Sequence, residues 1–191
     1  MKKMFIIIGI VITVLLIIAL LFGFMVWFAF GGGIYFLPNP PKPTITYGEF
    51  PFRLEYEKNG NIEVIEDTII CEFDGFNVEG ENGKYRKWKI YVKSTGERMI
   101  VLYDLRTNDI FTEWGSQVLE LCFDPGNAEY YMGDVGGRER KGSLGHWIDY
   151  LYILPDGKTG YSSLELDEAW EKYKFRLISW EPSPPINNIF K

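Results

Sequence analysis

The sequence predicts a mainly β domain, an antiparallel β-sandwich or small barrel with one short helix, preceded by an N-terminal transmembrane helix. Residues 5–30 form one uncharged apolar run. After Pro43, short segments of alternating apolar and polar residues are separated by Gly, Pro, Asn and Asp, which is typical of strands joined by turns. Only residues 164–173 have the spacing of an amphipathic helix. An α+β sheet covered by that helix is the alternative.

The apolar run of residues 5–30 is long enough to cross a lipid bilayer. At about 1.5 Å per residue a helix of this length reaches roughly 39 Å, against a hydrocarbon core of about 30 Å. A cleaved signal peptide is the alternative, because Ala29 and Gly31 could form a poor cleavage pair. Its apolar region would be shorter, at about 7–15 residues, and would end in small residues rather than in Trp27-Phe28. We therefore expect an uncleaved anchor whose partner is the bilayer.

Basic residues predict the direction in which this anchor crosses. Lys2 and Lys3 precede the run, and the first basic residue after it is Lys42. Positive charge is retained on the cytoplasmic side of a membrane. We therefore expect residues 1–4 inside the cell and the rest of the chain outside, with the cell membrane crossed once.

The segment between anchor and domain is predicted to be a linker. Residues 31–43 begin with three glycines, which give flexibility, and end with four prolines, which favour an extended polyproline-like spacer. The folded domain is then expected at residues 44–182, followed by a short proline-containing tail at 183–191.

A β-hairpin is predicted at the start of the domain. Residues 50–57 alternate between apolar and polar side chains, as a half-buried strand does. Asn59-Gly60 follows, which is a strong signal for a two-residue hairpin turn. The return strand is expected to run through residues 62–73, with a kink near Glu66-Asp67, and the polar stretch 74–83 is expected to be a loop.

The remaining elements are predicted from the same alternation. Residues 85–93 form a strand with Trp88, Ile90 and Val92 on its inward side, and the nearly continuous apolar run 99–105 predicts a central strand covered on both faces. The predicted helix begins with a capping box of Ser162 and Glu165. Further strands are expected at residues 118–123, 129–132, 147–154 and 174–180.

The charge of the exterior part argues against one class of partner. With Lys2 and Lys3 set aside, the 20 basic residues fall to 18 against 26 acidic ones, a net charge of −8. An acidic domain is repelled by a phosphate backbone. We therefore expect no nucleic-acid partner.

Three segments carry a resemblance to known proteins. Residues 48–53 (Gly-Glu-Phe-Pro-Phe-Arg), 84–88 (Lys-Tyr-Arg-Lys-Trp) and 128–134 (Ala-Glu-Tyr-Tyr-Met-Gly-Asp) are similar to segments of small single-pass membrane-anchored proteins of Gram-positive bacteria. The resemblance covers most of the exterior domain. It implies no activity, and it transfers no functional residue to this chain.

The two cysteines, Cys71 and Cys122, are a candidate disulfide, as exported domains often contain one. Closing a loop of about 52 residues would stabilise the fold by roughly 4 kcal/mol. Strand phase argues against the bond, because Cys71 shares an inward face with Ile69 whereas Cys122 shares an outward face with Glu120. Two unpaired thiols are the preferred prediction, and a disulfide is the alternative.

One short segment contains the residue types of a hydrolytic triad. Ser143, His146 and Asp149 could serve as nucleophile, base and orienting carboxylate. Triads are defined by geometry, however, and neither a Gly-x-Ser-x-Gly motif nor an oxyanion hole can be recognised around Ser143. A polar loop that precedes a strand is the favoured interpretation.

We expect neither a metal nor a cofactor. One histidine and two distant cysteines cannot assemble an ordinary structural zinc site. The acidic stretch Asp74, Asn77, Glu79 and Glu81 offers oxygen ligands, but it lacks the spacing of a calcium-binding loop.

Two basic features stand out against the acidic background, the outward side of strand 85–93 and the glycine-flanked loop 136–142. They could bind an anionic envelope polymer or an acidic patch on a protein. The alternative is an exposed strand face that resists edge pairing, together with a hairpin tip. The candidate binding residues are Tyr85, Lys87, Lys89, Tyr91, Lys93, Arg138, Arg140 and Lys141.

These patterns favour a non-enzymatic function. We expect a membrane-tethered extracytoplasmic module that binds a protein or an envelope polymer. The alternative is a cell-envelope hydrolase that uses His146 with Ser143 or a nearby carboxylate.

Overall fold

The computed structural model describes residues 2–29, 33, 37–79, 83–106, 115–134, 136 and 140–191. Over these ranges the fold is mainly β, with two four-stranded antiparallel sheets, an N-terminal apolar helix and two short helices. The predicted fold class is therefore confirmed. The elements in chain order are α1 (Lys2–Ala29), β1 (Tyr47–Lys58), β2 (Asn61–Glu79), β3 (Gly83–Val92), β4 (Ile100–Asp104), β5 (Gln117–Phe123), α2 (Ala128–Tyr131), β6 (Trp147–Ile153), β7 (Thr159–Glu165), α3 (Leu166–Tyr173) and β8 (Phe175–Pro182).

Helix α1 contains the predicted apolar run. Its stretch Met4–Phe28 spans 25 residues, and the most apolar part has a mean hydropathy of 3.4. The helix is therefore long and apolar enough to cross a membrane once, as a single-pass anchor does. A signal sequence near an N-terminus can meet the same two criteria.

The chain divides into two compact units. The first comprises residues 1–42 together with 75–87, and the second comprises residues 43–74 and 88–191. In the first unit, the Arg86 guanidinium donates a hydrogen bond to the Pro41 carbonyl oxygen at 3.3 Å. The second unit contains the hydrophobic core and most of both sheets.

The first sheet has the strand order β3-β2-β1-β8 and begins with the predicted hairpin. Lys58 pairs with Asn61 across Asn59 and Gly60, whose φ angles of 51° and 80° are those of a type I′ turn. Strand β1 alternates as expected, with Phe50, Phe52, Leu54 and Tyr56 buried. The prediction of a loop over residues 74–83 was wrong at both ends, because β2 continues to Glu79 and β3 begins at Gly83.

The second sheet is a meander with the order β4-β5-β6-β7. The prediction of a central strand over residues 99–105 was wrong, because the strand there, β4, is the first in this order. It lies at an edge and alternates, with Ile100 and Leu102 buried and Val101 exposed, so its apolar run reflects one covered face rather than two. Strand β7 was not predicted, since the sequence Thr159–Ser163 has a single large apolar residue, Tyr161.

The two short helices, α2 and α3, both differ from what the sequence predicted. Residues 129–132 were predicted as a strand, but Asn127 caps a helix there by accepting a hydrogen bond from the Tyr130 N–H. Helix α3 confirms the predicted helix, but not its capping box. Glu165 is itself the N-cap, with no side-chain cap bond, while Ser162 belongs to β7.

Both sheets contribute to one hydrophobic core. Buried side chains of β1, β2 and β8 meet those of β4, β5, β6 and β7, and helices α2 and α3 add Tyr131, Ala169 and Tyr173. Because the core takes the inward side chains of the second sheet, the opposite side of that sheet is left for other contacts.

The residues after Pro182 are bonded to the second unit. Ile186 donates its N–H to the Tyr131 carbonyl oxygen at 2.9 Å, and Thr44 donates to the Ile189 carbonyl oxygen at 2.7 Å. The Asn188 amide accepts from the Ile45 N–H at 3.0 Å and donates to the Ile45 carbonyl oxygen at 2.8 Å. The predicted tail thus pairs with the first residues of the domain.

Candidate functional site

The candidate site is the side of the second sheet that faces away from the core, called here the outer face. On β6 and β7, Ile148 and Leu164 are paired and buried in the core. Since side chains alternate along a strand, their neighbours occupy the other side. The outer face therefore includes Trp147, Asp149 and Leu151 of β6, Tyr161 and Ser163 of β7, and Cys122 of β5.

Two aromatic side chains on the outer face are well exposed. Trp147 is 55% exposed and Tyr161 is 56% exposed, although large aromatic rings are normally covered. Tyr161 pairs with Leu151, four residues along β6 from Trp147. At about 3.3 Å per residue, the two positions are separated by roughly 13 Å along the strands.

Between the two rings lies a hydrogen-bonded polar pair. Asp149 and Ser163 are direct cross-strand partners, and the Ser163 hydroxyl donates to Asp149 Oδ1 at 2.7 Å. The second carboxylate oxygen, Oδ2, has no hydrogen bond within the described part of the chain. This oxygen is therefore available as an acceptor between two aromatic surfaces.

Two open depressions meet at Asp124 and Asp149. The larger has a volume of about 540 Å³ and the smaller about 240 Å³. The residues that line the larger one are Glu97, Arg98, Met99, Asp124, Asp149, Tyr161, Ser162 and Ser163. Residues of the smaller one include Cys122, Asp124, Arg140, Lys141, Ser143, Trp147 and Asp149.

Asp124 organises the charges at the junction of the two depressions. Its Oδ2 contacts the guanidinium groups of Arg98 at 3.5 Å and Arg140 at 2.5 Å, while Oδ1 accepts a hydrogen bond from the Gly126 N–H at 2.8 Å. On the same face, Arg106 is paired with the largely buried Glu120. Each of these three arginines therefore contacts a carboxylate, and Arg98 and Arg140 share the same one.

Glycines allow the loop that carries Arg140 to lie against the end of β5. A Cβ on Gly126, whose φ is +102°, would come within 2.3 Å of the Arg140 carbonyl oxygen, and one on Gly142 within 2.4 Å of the Pro125 carbonyl oxygen. The Asn127 side chain accepts from the Arg140 N–H at 2.7 Å. This close backbone approach holds the Arg140 side chain beside Asp124.

The structure brings together only two of the three triad residues. Ser143 and Asp149 line the smaller depression, and His146 does not. All three residues are described, and no hydrogen bond joins the His146 side chain to Ser143 or Asp149. Asp149 Oδ1 accepts its hydrogen bond from Ser163 instead. The bond by which the carboxylate of a triad orients the histidine is therefore not formed.

The outward side of the predicted strand 85–93 is called here the basic stripe, and its lysines lie among acidic partners. Lys89 Nζ lies 3.4 Å from Asp74 Oδ1, and Lys93 Nζ lies 2.8 Å from Glu49 Oε2. The hydrogen bond from Lys93 lowers the pKa of Glu49, and the same bond raises the pKa of Lys93. The stripe is thus not a surface of uncompensated positive charge at these two lysines.

The remaining predicted binding residues are divided between different places. Tyr91 donates its hydroxyl to Glu72 at 3.1 Å in the second unit. Tyr85 and Lys87 belong to the first unit, where the Tyr85 hydroxyl accepts from the Asn77 amide at 3.2 Å. Arg140 and Lys141 line the smaller depression, and Arg138 lies outside the described residues.

Both cysteines are free thiols and fully buried. Cys71 belongs to the hydrophobic core, whereas Cys122 is the cross-strand partner of Asp149 on the outer face. The faces follow the predicted strand phase, with Cys71 inward and Cys122 on the outer face, although the Cys122 side chain is covered there. Burial raises the pKa of each thiol to about 12.

Acidic side chains do not gather into a metal site in the described part of the chain. No group of three or more His, Cys, Asp or Glu residues there has the arrangement of metal ligands. Of the acidic stretch considered from the sequence, Asp74 pairs with Lys89, Asn77 contacts Tyr85, and Glu81 lies outside the described residues.

Comparison with family models, curated proteins and solved structures found no match to this chain. The outer face was also missed by sequence reasoning. Trp147 was noted only as part of a strand, and Tyr161 was not assigned to a strand at all. One signal in the sequence could have revealed the outer face. Along β6, Ile148 and Tyr150 alternate with Trp147, Asp149 and Leu151, so Trp147 shares a face with the charged Asp149 rather than with the core residues.

Proposed function

We propose that this chain is a membrane-tethered extracytoplasmic module that binds a protein or a polymer of the cell envelope. The observation that carries the proposal is the outer face, where the exposed Trp147 and Tyr161 flank a polar pair. Exposed aromatic residues beside polar groups that can form hydrogen bonds are the composition of binding surfaces rather than of ordinary protein exteriors.

The tether is supported by the N-terminal part of the chain. Helix α1 has the length and apolarity of a membrane span. Lys2 and Lys3 before it favour an inside N-terminus, which would leave both sheets outside the cell. The resemblance of residues 48–53, 84–88 and 128–134 to membrane-anchored proteins of Gram-positive bacteria supports the same setting.

Two other sites receive less support. No specific observation favours the envelope hydrolase, because no hydrogen bond joins the His146 side chain to Ser143 or Asp149 among the described residues. The basic stripe is a weaker binding surface than the outer face, since Lys89 and Lys93 already contact carboxylates.

Photocrosslinking in living cells tests the proposal with the full chain. A benzoylphenylalanine replaces Trp147 or Tyr161, and the controls carry it at Ile62, which is 68% exposed on the first sheet, or at Lys89. We expect light-dependent adducts from positions 147 and 161 and none from position 62. Adducts from position 89 alone would move the site to the basic stripe, and the absence of adducts from all four positions would contradict the proposal.

A further inference from the structure

The outer face offers side chains, and not backbone, for recognition. Strands β5 and β6 are paired on both sides within the sheet, so their N–H and C=O groups are used by their neighbours. A peptide that lay across this face could not add to the sheet as another strand. The ligand must therefore be one that side chains alone can hold.

The side chains present are of two kinds. Trp147 and Tyr161 offer flat apolar surfaces, and around them Ser143, Ser163 and Asp149 offer hydroxyl and carboxylate groups. A pyranose ring has matching chemistry, because its C–H groups form an apolar face and its hydroxyls lie around the edge. Aromatic rings pack on the C–H face, while serine hydroxyls and carboxylates form hydrogen bonds with the sugar hydroxyls.

The charges of the outer face favour a neutral ligand. Asp124 contacts both Arg98 and Arg140, and Glu120 is paired with Arg106. The charged residues that line the two depressions are three acidic ones (Glu97, Asp124 and Asp149) and three basic ones (Arg98, Arg140 and Lys141), so an anionic polymer meets no net positive charge there. To bond to Arg98 or Arg140 it would also have to compete with Asp124, an exchange that adds little net attraction.

The shape of the site suits a chain rather than a single small molecule. Small-molecule pockets enclose most of their ligand, whereas both depressions here are open and lie on either side of Asp149. A linear ligand that passed over Asp149 would contact one aromatic ring on each side, at a separation of roughly 13 Å.

We propose that the outer face binds a neutral polysaccharide, with one sugar ring stacked on Trp147, another on Tyr161, and intervening hydroxyls bonded to Asp149 and Ser163. This inference rests on the proposed binding function and names the class of ligand. Its site is distinct from the basic stripe considered from the sequence, and its ligand is neutral rather than anionic.

Titration of the full-length protein in nanodiscs of zwitterionic lipid tests this proposal. The probes are the neutral hexasaccharides cellohexaose and hexa-N-acetylchitohexaose, with a heparin hexasaccharide as the anionic comparison, and binding is measured by calorimetry. We expect at least one neutral probe to bind, and Trp147→Ala and Tyr161→Ala each to weaken that binding at least tenfold. Both side chains are more than half exposed, so the variants are expected to fold, which circular dichroism checks.

Trp170→Ala is the matched control. Trp170 is 38% exposed on α3 and does not line either depression, so its removal should change the affinity less than twofold. Failure of both neutral probes to bind at millimolar concentration would overturn the inference, as would heparin binding of equal strength or unchanged binding by both outer-face variants.

The crosslinking experiment separates this inference from the function on which it rests. Protein adducts from positions 147 and 161, without hexasaccharide binding, would overturn the polysaccharide and leave a tethered protein-binding module. If neither experiment detects a ligand at these positions, both proposals fail.

Discussion

At the scale of single residues, the two thiols show how burial controls chemistry in this protein. Cys71 and Cys122 are both fully buried, and desolvation is the main reason that their pKa values rise from 9.0 to about 12. The thiolate is the reactive form, so both cysteines should be inert in the folded protein.

We predict that N-ethylmaleimide at pH 8 labels neither Cys71 nor Cys122 in the folded protein, and labels both in guanidinium chloride. The native rates should be at least about 100-fold lower than that of an exposed cysteine, because reaction requires opening of the fold. Mass spectrometry of the full chain measures the labelling. Rapid modification of either native thiol would contradict the described burial, and an intact chain that stays unlabelled even when unfolded would indicate a disulfide.

Because both thiol pKa values are raised, the free energy of unfolding is expected to decrease at alkaline pH. A thiol whose folded pKa is raised remains protonated in the folded state after it has ionised in the unfolded chain. The stability that this protonation provides is present below pH 9 and is lost as the pH rises toward about 12. The buried Tyr131, whose pKa is also raised, acts in the same direction.

At the scale of elements, the hairpin of β1 and β2 depends on one turn. Gly60 has a φ of +80°, and a Cβ built on it would meet no atom within 4 Å. Any cost of a side chain there must therefore come from backbone conformation and not from a clash.

Gly60→Ala is predicted to lower the free energy of unfolding by about 1 kcal/mol, which is the cost of a left-handed conformation for an L residue. Gly145→Ala is the control, since its φ is not in the left-handed region and its Cβ would have its nearest neighbour at 3.9 Å. It should change stability by less than about 0.5 kcal/mol. Urea denaturation followed by tryptophan fluorescence measures both, and equal effects of the two variants would refute this explanation.

The turn was predictable from the sequence because its chemistry is local, and other elements were not. The Asn59-Gly60 pair and the alternation of β1 act between neighbouring residues. Helix α2 was misread as a strand because its aromatic residues have high β-propensity, although Asn127 supplied a capping signal. Strand β7 has too few apolar residues for its alternation to be recognised.

The candidate site was less predictable than the strands that build it. Asp149 was named for a triad with neighbours in sequence, but its partner in the structure is Ser163, on the next strand. The pairing of β6 with β7 brings these residues together, and that pairing depends on how the whole sheet assembles. Sequence spacing therefore identified a polar residue correctly and gave it the wrong partner.

At the scale of the whole molecule, one apolar helix precedes a mainly β chain whose second unit has its own hydrophobic core. This division was predictable from the sequence, because the 26 residues of the apolar run carry no charge, whereas charged residues recur throughout the rest of the chain. Which strands belong to which sheet could not be predicted from the sequence, since β8 pairs with β1 although more than a hundred residues separate them.

Protease added to intact cells is predicted to digest residues 43–191, because Lys2 and Lys3 favour an inside N-terminus. The double substitution Leu15→Arg with Leu16→Arg should leave the domain protected inside the cell. Each arginine costs about 2.5–3.5 kcal/mol at the centre of a membrane helix. The matched control, Leu15→Ala with Leu16→Ala, should behave as the unaltered chain does, and immunoblotting of the domain measures all three. Protection of the unaltered domain would show that the orientation is wrong.

The pairing of residues 43–45 with 188–190 has a mechanical consequence. If a ligand fixed in the envelope holds the domain, a pull transmitted along the chain from α1 reaches the second unit at Pro43. The bonds of Thr44 with Ile189 and of Ile45 with Asn188 would then be loaded one after another, and each contributes only about 0.5–1.5 kcal/mol. Under tension these few bonds would open before β1 does, so the tether could lengthen while the outer face stays folded.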